Sequence, residues 1–169
     1  MKVVSRDLLD KWFGAYPVVM HTMYKAYSET IPGVTNKSRF ESKLRKNSHI
    51  VNSDFESESR YIAAFYQQES LIVISVLYVF PKHRGKCYGR DIIEALQDEA
   101  KKMSFILQVA VEEGKNDLLG QYYEKMGFVT LNKITHDSDG TGYIDYFWAP
   151  HKITMKYLPE LDQVIINKA

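Results

Sequence analysis

The chain carries one short basic stretch, residues 81–90, whose residue types and spacing suit the binding of an anion. Within it, residues 84–90 hold three cations and two glycines in close succession: Arg84, Gly85, Lys86, Gly89 and Arg90. An apolar run at 71–80 precedes it and predicts a buried strand, and residues 91–100 place their apolar side chains at helical spacing. The first N–H groups of a helix have no partner within the helix, so a glycine-containing turn between a strand and a helix can bind anions. The stretch therefore predicts an anion site at a helix N-terminus.

Two known phosphate-binding patterns share this logic, and the sequence departs from both. A Walker loop ends in Gly-Lys-Ser or Gly-Lys-Thr, which is absent from this stretch. A dinucleotide-binding turn needs three spaced glycines, whereas only Gly85 and Gly89 are present. The stretch is therefore predicted to belong to neither of these classes of nucleotide-binding protein.

The composition of the chain limits the classes of protein to which it can belong. With 169 residues, of which 45% are hydrophobic and 25% charged, it suits one globular domain, 1–169, that has a core of its own. A net charge of +1 and the lack of a stacking motif beside the basic stretch argue against nucleic acid as a partner. The longest apolar run is too short to span a membrane, so no membrane partner is expected. The single cysteine, Cys87, excludes an internal disulfide, and the N-terminus reads as neither signal nor transit peptide, so we expect a cytoplasmic protein.

The periodicity of apolar residues predicts both helices and strands. Helices are predicted within residues 1–47, at 89–103 and from Asn116 or Asp117 onward. The predicted strands are 48–55, 60–67, 71–80, 104–111, 128–134, 143–149 and 152–158, and the second and third form a hairpin. The strand at 104–111 is apolar at almost every position, which predicts burial on both faces. The last residues, 159–169, are predicted to form a loose tail.

Two segments resemble the sequence signatures of one known family. The basic stretch resembles V-x-P-x-x-R-x-x-G-x-G/A; Cys87 replaces the first glycine, and the matches are Val79, Pro81, Arg84 and Gly89. Residues 116–128 resemble N-x-x-A-x-x-x-Y-E-K-x-G-F; Leu119 replaces the small residue, and the matches are Asn116, Tyr123, Glu124, Lys125, Gly127 and Phe128. Both patterns are typical of the GNAT N-acetyltransferases, and they occur here in the family's order with a predicted helix and strand between them. The resemblance covers 72–128, extends loosely to residue 158 and hardly reaches 1–47.

This resemblance implies an α/β fold whose mixed central sheet has about six or seven strands flanked by helices. Two parallel strands, 71–80 and 104–112, would splay apart and hold acetyl-CoA, whose pantetheine amides pair with the exposed backbone groups. Residues 71–128 would form the cofactor-binding core, and residues 1–47 a helical region on the acceptor side. The expected reaction transfers an acetyl group from acetyl-CoA to a primary amine by direct attack, and no metal is required.

The resemblance also implies roles for individual residues. Tyr78 and Val79 would offer backbone contacts to pantetheine, and the Val79 N–H would donate to the thioester oxygen in the transition state. Backbone N–H groups of the basic stretch would hold the pyrophosphate, and the residues concerned are Arg84, Gly85, Lys86, Cys87, Tyr88, Gly89 and Arg90. Asn116 would contact pantetheine or an ordered water, and Tyr123 would protonate the departing CoA thiolate.

Several of these residues also have a purely structural interpretation. Arg84 and Lys86 could be solvated cations, Tyr123 could only pack in a core, and Asn116 could only cap a helix. Cys87 leaves three outcomes open, because its Cβ stands where a glycine normally lets phosphate approach the backbone. These outcomes are that the loop tolerates cysteine, that CoA binds more weakly, or that the site is vestigial.

Neither signature locates the base that deprotonates the acceptor amine. Glu112 and Glu113, at the end of the strand 104–112, are the best-placed carboxylates, and Glu69 is another; each could instead be a surface carboxylate. The amine could belong to a small molecule, a peptide or a protein, and a homodimer stays open. The alternative function is a non-catalytic protein of the same fold that senses CoA or contacts a protein partner.

Overall fold

The structure is a computed structural model that describes residues 2–4, 49–52, 61–79, 81–114, 117–138 and 140–169. The chain forms two compact units: Met1–Tyr66 with Ile74–Ile92, and Gln67–Val73 with Ile93–Ala169. The predicted helices between residues 5 and 46 lie outside the described residues, and so does Asn116. Among the described helices, none is long and apolar enough to cross a bilayer.

The first unit is built on antiparallel strands. Strand β1 (Lys2–Val4) pairs with β2 (His49–Asn52), and β2 pairs with β3 (Tyr61–Gln68). Strand β4 (Leu71–Val79) follows β3 after two turn residues and is its neighbour in the sheet, which confirms the predicted hairpin. Strand β1 was not predicted, since three residues are too few for a periodic signal.

A turn and a long helix follow β4. Residues Pro81–His83 form one turn of 3₁₀-helix, and helix α1 runs over Tyr88–Met103, as the sequence predicted to within one residue. The apolar stripe of α1 is buried: Ile92, Ile93, Leu96 and Ala100 are at most 2% exposed. This stripe repeats at helical spacing, and its burial gives the helix most of its stability.

The second unit contains the rest of the strands. These are β5 (Ile106–Glu112), β6 (Ile134–His136), β7 (Gly142–Trp148), β8 (Ile153–Leu158) and β9 (Gln163–Lys168), with helix α2 (Asp117–Lys125) after β5. Strands β5 and β6 pair with β7 in antiparallel fashion. At the start of β5 the Ile106 N–H donates to the Ser70 carbonyl oxygen, just before β4 begins, at 3.0 Å, so the two strands start side by side and run parallel. The sheet is therefore mixed, and the predicted α/β class is confirmed.

Strand β5 is not buried on both faces, contrary to the prediction. Leu107, Val109 and Val111 are at most 5% exposed, whereas Ala110 between them is exposed. The apolar run was misleading because alanine counts as apolar yet is small enough to leave its side of the strand open. The strand therefore has one face that is buried and one that is exposed at Ala110, as antiparallel pairing with β7 permits.

Two further predictions were wrong. Residues 130–133 are not a strand: Val129 makes one isolated bridge to Phe147, and pairing resumes only at β6. The tail at 159–169 is not loose, because β9 pairs with β8 through six residue pairs to form a separate two-stranded sheet. The run Val164-Ile165-Ile166 is β-branched, so the strand propensity was present in the sequence and was overlooked.

Candidate functional site

The basic stretch forms a tight loop between β4 and α1, within the first unit. The Arg84 N–H donates to the Pro81 carbonyl oxygen at 3.2 Å, which closes the 3₁₀ turn. Gly85 and Cys87 then adopt left-handed backbone conformations, with φ of +76° and +64°. The Cys87 carbonyl accepts the Asp91 N–H at 3.0 Å, so Cys87 is the residue that caps the N-terminus of α1. The backbone N–H groups in the first turn of α1 therefore lie next to the loop, at the end of the helix where the helix dipole favours an anion.

Cys87 has the backbone conformation that glycine adopts most easily. A residue with a Cβ in this region carries a cost of about 1–2 kcal/mol. The loop nevertheless forms with cysteine, whose side chain is exposed. Cys87 therefore holds a left-handed backbone conformation of the kind that glycine permits, with a Cβ and a sulfur added.

Arg84 makes contacts that the sequence did not reveal. Its Nε donates to the Val79 carbonyl oxygen at 3.0 Å, and its guanidinium carbon lies 5.5 Å from the centre of the Tyr78 ring. Tyr78 itself is only 4% exposed. Arg84 therefore ties the loop to the end of β4 and is more than a solvated cation, although its side chain is exposed, like those of Lys86 and Arg90. The sequence offered only the five-residue spacing between Val79 and Arg84 as a signal for this contact. That spacing implies a contact only once the chain is known to turn back on itself.

The second signature lies in the second unit, where α2 packs its tyrosines into an aromatic cluster. Tyr123 is 3% exposed, and its ring centre lies 5.5 Å from that of Phe128, 5.6 Å from that of Tyr122 and 6.1 Å from that of Tyr146. Gly120 lies against the Tyr146 hydroxyl so closely that a Cβ at this position would collide with it. Tyr123 therefore has a packing role whatever its chemical role is.

The two glutamates at the end of β5 face different directions. Glu112 is the last residue of β5, is half-buried and pairs with Tyr143 of β7. The Glu113 N–H donates to the Gly142 carbonyl oxygen at 2.9 Å, and the Glu113 carboxylate lies 2.6 Å from the point where a Cβ on Gly142 would be. Successive side chains of a strand alternate between faces, so the Glu112 and Glu113 side chains lie on opposite faces of the sheet.

A cavity of about 270 Å³ adjoins this end of β5. It is lined by polar and apolar residues of the second unit: Val111, Glu112, Glu113, Gly114, Gln121, Glu124, Asn132, Ile144 and Tyr146. The structure thus brings both predicted glutamates to one cavity, while Tyr78, Val79 and residues 84–90 belong to the first unit.

Asp145 is a further titratable residue of interest, and no sequence signature pointed to it. Its Oδ1 accepts a hydrogen bond from Gln108 Nε2 at 3.1 Å. Burial raises the pKa of Asp145 above its ordinary value, and hydrogen bonds from Gln108 and Thr135 partly oppose this rise. An aspartate inside a strand is uncommon, which was the one signal that could have drawn attention to it.

A second hydrogen-bonded carboxylate, Asp162, lies in the turn between β8 and β9. It accepts the His136 N–H at 2.9 Å and the Tyr157 hydroxyl at 2.8 Å, and His136 Nδ1 lies 2.8 Å from it. These hydrogen bonds, that of the His136 side chain first, hold the pKa of Asp162 below its ordinary value. The cluster joins β6 to the β8–β9 turn.

Known proteins share sequence features with this chain. A sequence model described as the acetyltransferase (GNAT) family matches residues 21–128, which is more than half of the chain. The chain therefore belongs to the GNAT acetyltransferase family. A search of curated protein sequences finds no match.

Solved structures agree on the fold. The ribosomal-protein-S18-alanine N-acetyltransferase of Escherichia coli superimposes with a TM-score of 0.59 at 16% identity, covering 88% of this chain and 92% of that one. An aminoglycoside 6'-N-acetyltransferase complexed with coenzyme A gives 0.61 at 12% identity, covering 88% and 97%. An acetyltransferase from Bacillus subtilis in complex with CoA gives 0.58 at 13% identity, covering 76% and 91%. At these identities the likeness establishes the GNAT fold.

Proposed function

We propose that this protein is an acetyl-CoA-dependent N-acetyltransferase that acetylates a primary amine by direct attack on the thioester. The observation that carries the proposal is the loop between β4 and α1. Its left-handed Gly85 and Cys87 lead the chain into the N-terminus of a 16-residue helix, and Arg84, Lys86 and Arg90 supply positive charge along residues 84–90. A helix N-terminus with this charge and backbone geometry suits a diphosphate.

In this proposal the diphosphate of acetyl-CoA is bound by main-chain N–H groups of residues 84–90. Lys86 and Arg90 add positive charge from exposed side chains. Arg84 has a different task, because its Nε is bonded to the Val79 carbonyl oxygen and holds the loop against the end of β4. Tyr78 and Val79 offer backbone groups to pantetheine, and Asn116 contacts pantetheine or a water. Two of the solved relatives are complexes with coenzyme A, which supports this choice of cosubstrate.

The reaction needs three further groups. The Val79 N–H stabilises the negative charge that develops on the thioester oxygen, and a donor of this kind lowers a barrier by about 3–4 kcal/mol. Tyr123 is the general acid that protonates the departing thiolate. A carboxylate removes the proton from the acceptor's ammonium group, and Glu112 and Glu113 are the candidates from the sequence. Residues 71–128 form the cofactor-binding core of a single domain, 1–169, and residues 1–47 its acceptor side, in the cytoplasm.

The experiment that tests this function has a binding arm and a turnover arm. Calorimetry with coenzyme A and with acetyl-CoA at up to millimolar concentrations should show saturable heat, and each ligand should raise the melting temperature. Incubation with acetyl-CoA and a panel of primary amines should release thiol in proportion to acetylated amine. An absence of heat and of thermal protection would refute the proposal.

One observation favours a second candidate, a protein of this fold that binds CoA without turning it over. Cys87 occupies the position where phosphate would approach the backbone most closely, and it keeps a conformation that is costly for a residue with a side chain. Saturable CoA binding without thiol release on any amine, peptide or protein mixture would support this candidate over the enzyme.

A further inference from the structure

Asp145 and its neighbours occupy the open face of the β5–β7 pair. Residues that pair across antiparallel strands share a face, and the register pairs Asp145 with Ala110, and Tyr143 with both Glu112 and Thr135. We call this surface the polar face. Its polar members are Gln108, Glu112, Thr135, Tyr143 and Asp145, and it also carries Ala110 and Phe147, which lies opposite Gln108 and is 1% exposed.

The polar face is open beside Asp145. Ala110, directly opposite Asp145, is exposed, whereas Val109 and Val111 on the other face of the same strand are each 5% exposed. Glu112 lies two residues further along β5, so it is a diagonal neighbour of Asp145, at a separation of about 7–8 Å for such pairs. Ala110 is therefore the open position of this face, with Asp145 directly across from it and Glu112 diagonal to Asp145.

Asp145 is held in place from both neighbouring strands. Gln108 of β5 donates to Oδ1 at 3.1 Å, and Thr135 of β6 donates a second hydrogen bond. Burial raises the pKa of this carboxyl, and the half-buried residue lies directly across the strand pair from the exposed Ala110. A base is most efficient when its pKa approaches the working pH, so partial burial suits a carboxylate for accepting a proton. A fixed and partly desolvated carboxylate differs in this respect from Glu113, which is exposed in a turn and lies over Gly142 on the other face.

We propose that Asp145 is the general base of the reaction, and that the acceptor is a primary amine bound on the polar face between Asp145, Glu112 and Tyr143. This inference rests on the proposed function. It assigns to Glu112 the role of holding the ammonium group and gives Glu113 no part in proton transfer. The charged or titratable groups that face Asp145 within the described strands are Glu112 of β5 and Tyr143 of β7.

Each proton in this step has a donor and an acceptor. Asp145 takes one proton from the ammonium group, and the nitrogen lone pair then forms the N–C bond to the acetyl carbon. The C–S bond breaks and its electron pair leaves with sulfur, which Tyr123 protonates. The nitrogen loses its second proton to solvent, and solvent returns a proton to the Tyr123 oxygen. Asp145 releases its proton to solvent, so the net products are the amide, CoA thiol and one proton.

The main test is the pH dependence of transfer in the Asp145→Asn variant. With saturating acetyl-CoA and an amine panel of ethanolamine, tyramine and the dipeptide Ala-Ala, the rate should fall by about 10²–10⁴-fold relative to the unaltered protein. The decline of kcat/KM on the acidic side of the profile should disappear, since it reports the protonation of the base. Acetyl-CoA affinity should stay the same. Asp98→Asn, the same change at an exposed carboxylate of α1, is the matched control and should leave rate and profile unaltered.

A second variant keeps the test informative if Asp145→Asn folds poorly. The hydrogen bond from Gln108 lowers the pKa of Asp145. Gln108→Leu removes this bond, so the acidic decline should move to higher pH while the rate at alkaline pH stays near that of the unaltered protein. A residue with a purely structural role would not shift the profile in this way.

Each outcome decides between the inference and the function on which it rests. If transfer occurs but Asp145→Asn keeps its rate and its acidic decline, or if Glu113→Gln removes the decline instead, Asp145 is not the base and the transferase stands. If the unaltered protein binds acetyl-CoA but releases no thiol with any amine, peptide or protein mixture, the catalytic function and the inference both fail. If it does not bind acetyl-CoA, the cofactor assignment fails as well.

Discussion

The two signature regions of this protein differ in how they would do their work. The loop at 81–90 is exposed and consists of backbone turned by left-handed residues, whereas the region from β5 to β7 places buried or half-buried side chains, such as Tyr123 and Asp145, among close neighbours. Recognition by main-chain groups depends on the path of the backbone, so it can survive a change such as glycine to Cys87. Chemistry by a packed side chain depends on that side chain itself. Substitutions should therefore be tolerated in the loop and costly in the second region.

The largest effect is expected at Tyr123. Tyr123→Ala should lower the free energy of unfolding by about 3–5 kcal/mol, because it removes a buried ring that contacts three other aromatic residues. Tyr123→Phe keeps the ring and should leave stability within about 1 kcal/mol, yet reduce kcat by about 10²-fold if the hydroxyl is the acid. Urea unfolding and thiol-release assays measure the two quantities. A Phe variant with undiminished kcat would show that Tyr123 only packs.

The next effect concerns the pH dependence of stability at Asp145. Its pKa in the folded protein is raised above the ordinary value of 3.8, so the folded state binds the proton more readily than the unfolded chain does. Stability due to this group is greatest at low pH and declines as pH rises from 3.8 to the folded pKa. Asp145→Asn cannot ionise, so relative to the unaltered protein it should gain stability between pH 3 and pH 7, measured by urea unfolding. An equal difference at both pH values would contradict this reasoning.

In the loop, Arg84 should matter more than Lys86. Arg84→Met removes the hydrogen bond to Val79 and the contact with the Tyr78 ring, so acetyl-CoA affinity should fall about three- to tenfold. Lys86→Met removes only an exposed charge and should cost about two- to threefold, mostly lost at high salt. Calorimetry at two salt concentrations separates the two effects. The reverse ranking would mean that phosphate binding depends on side-chain charge more than on the shape of the loop.

The smallest effect is expected for Cys87→Gly. The change relieves a left-handed residue, worth about 1–2 kcal/mol, but makes the unfolded chain more flexible, which offsets about 0.5–1 kcal/mol. Stability should therefore rise by no more than about 1 kcal/mol, and acetyl-CoA should bind at least as tightly. Thermal unfolding and calorimetry test both statements. A large loss of affinity would indicate a specific role for the thiol.

The sequence by itself determined the family, the strand–loop–helix order around residues 71–103 and the position of the loop at 81–90. These features depend on local patterns, namely apolar periodicity, glycines at fixed offsets and two spaced signatures, and local patterns are visible without a fold. The predicted hairpin and α1 were correct for the same reason. The N-terminal helices remain a prediction, since residues 5–48 lie outside the described part of the chain.

Only the tertiary structure decided which side chains of the second unit share a face. Glu112 and Glu113 are adjacent in sequence, yet strand alternation puts one beside Asp145 and the other over Gly142. Asp145 and Gln108 are 37 residues apart, so no local pattern could bring them together. The open position at Ala110 was missed because exposure depends on what lies across the sheet, and a neighbour across a sheet is set by register between distant segments.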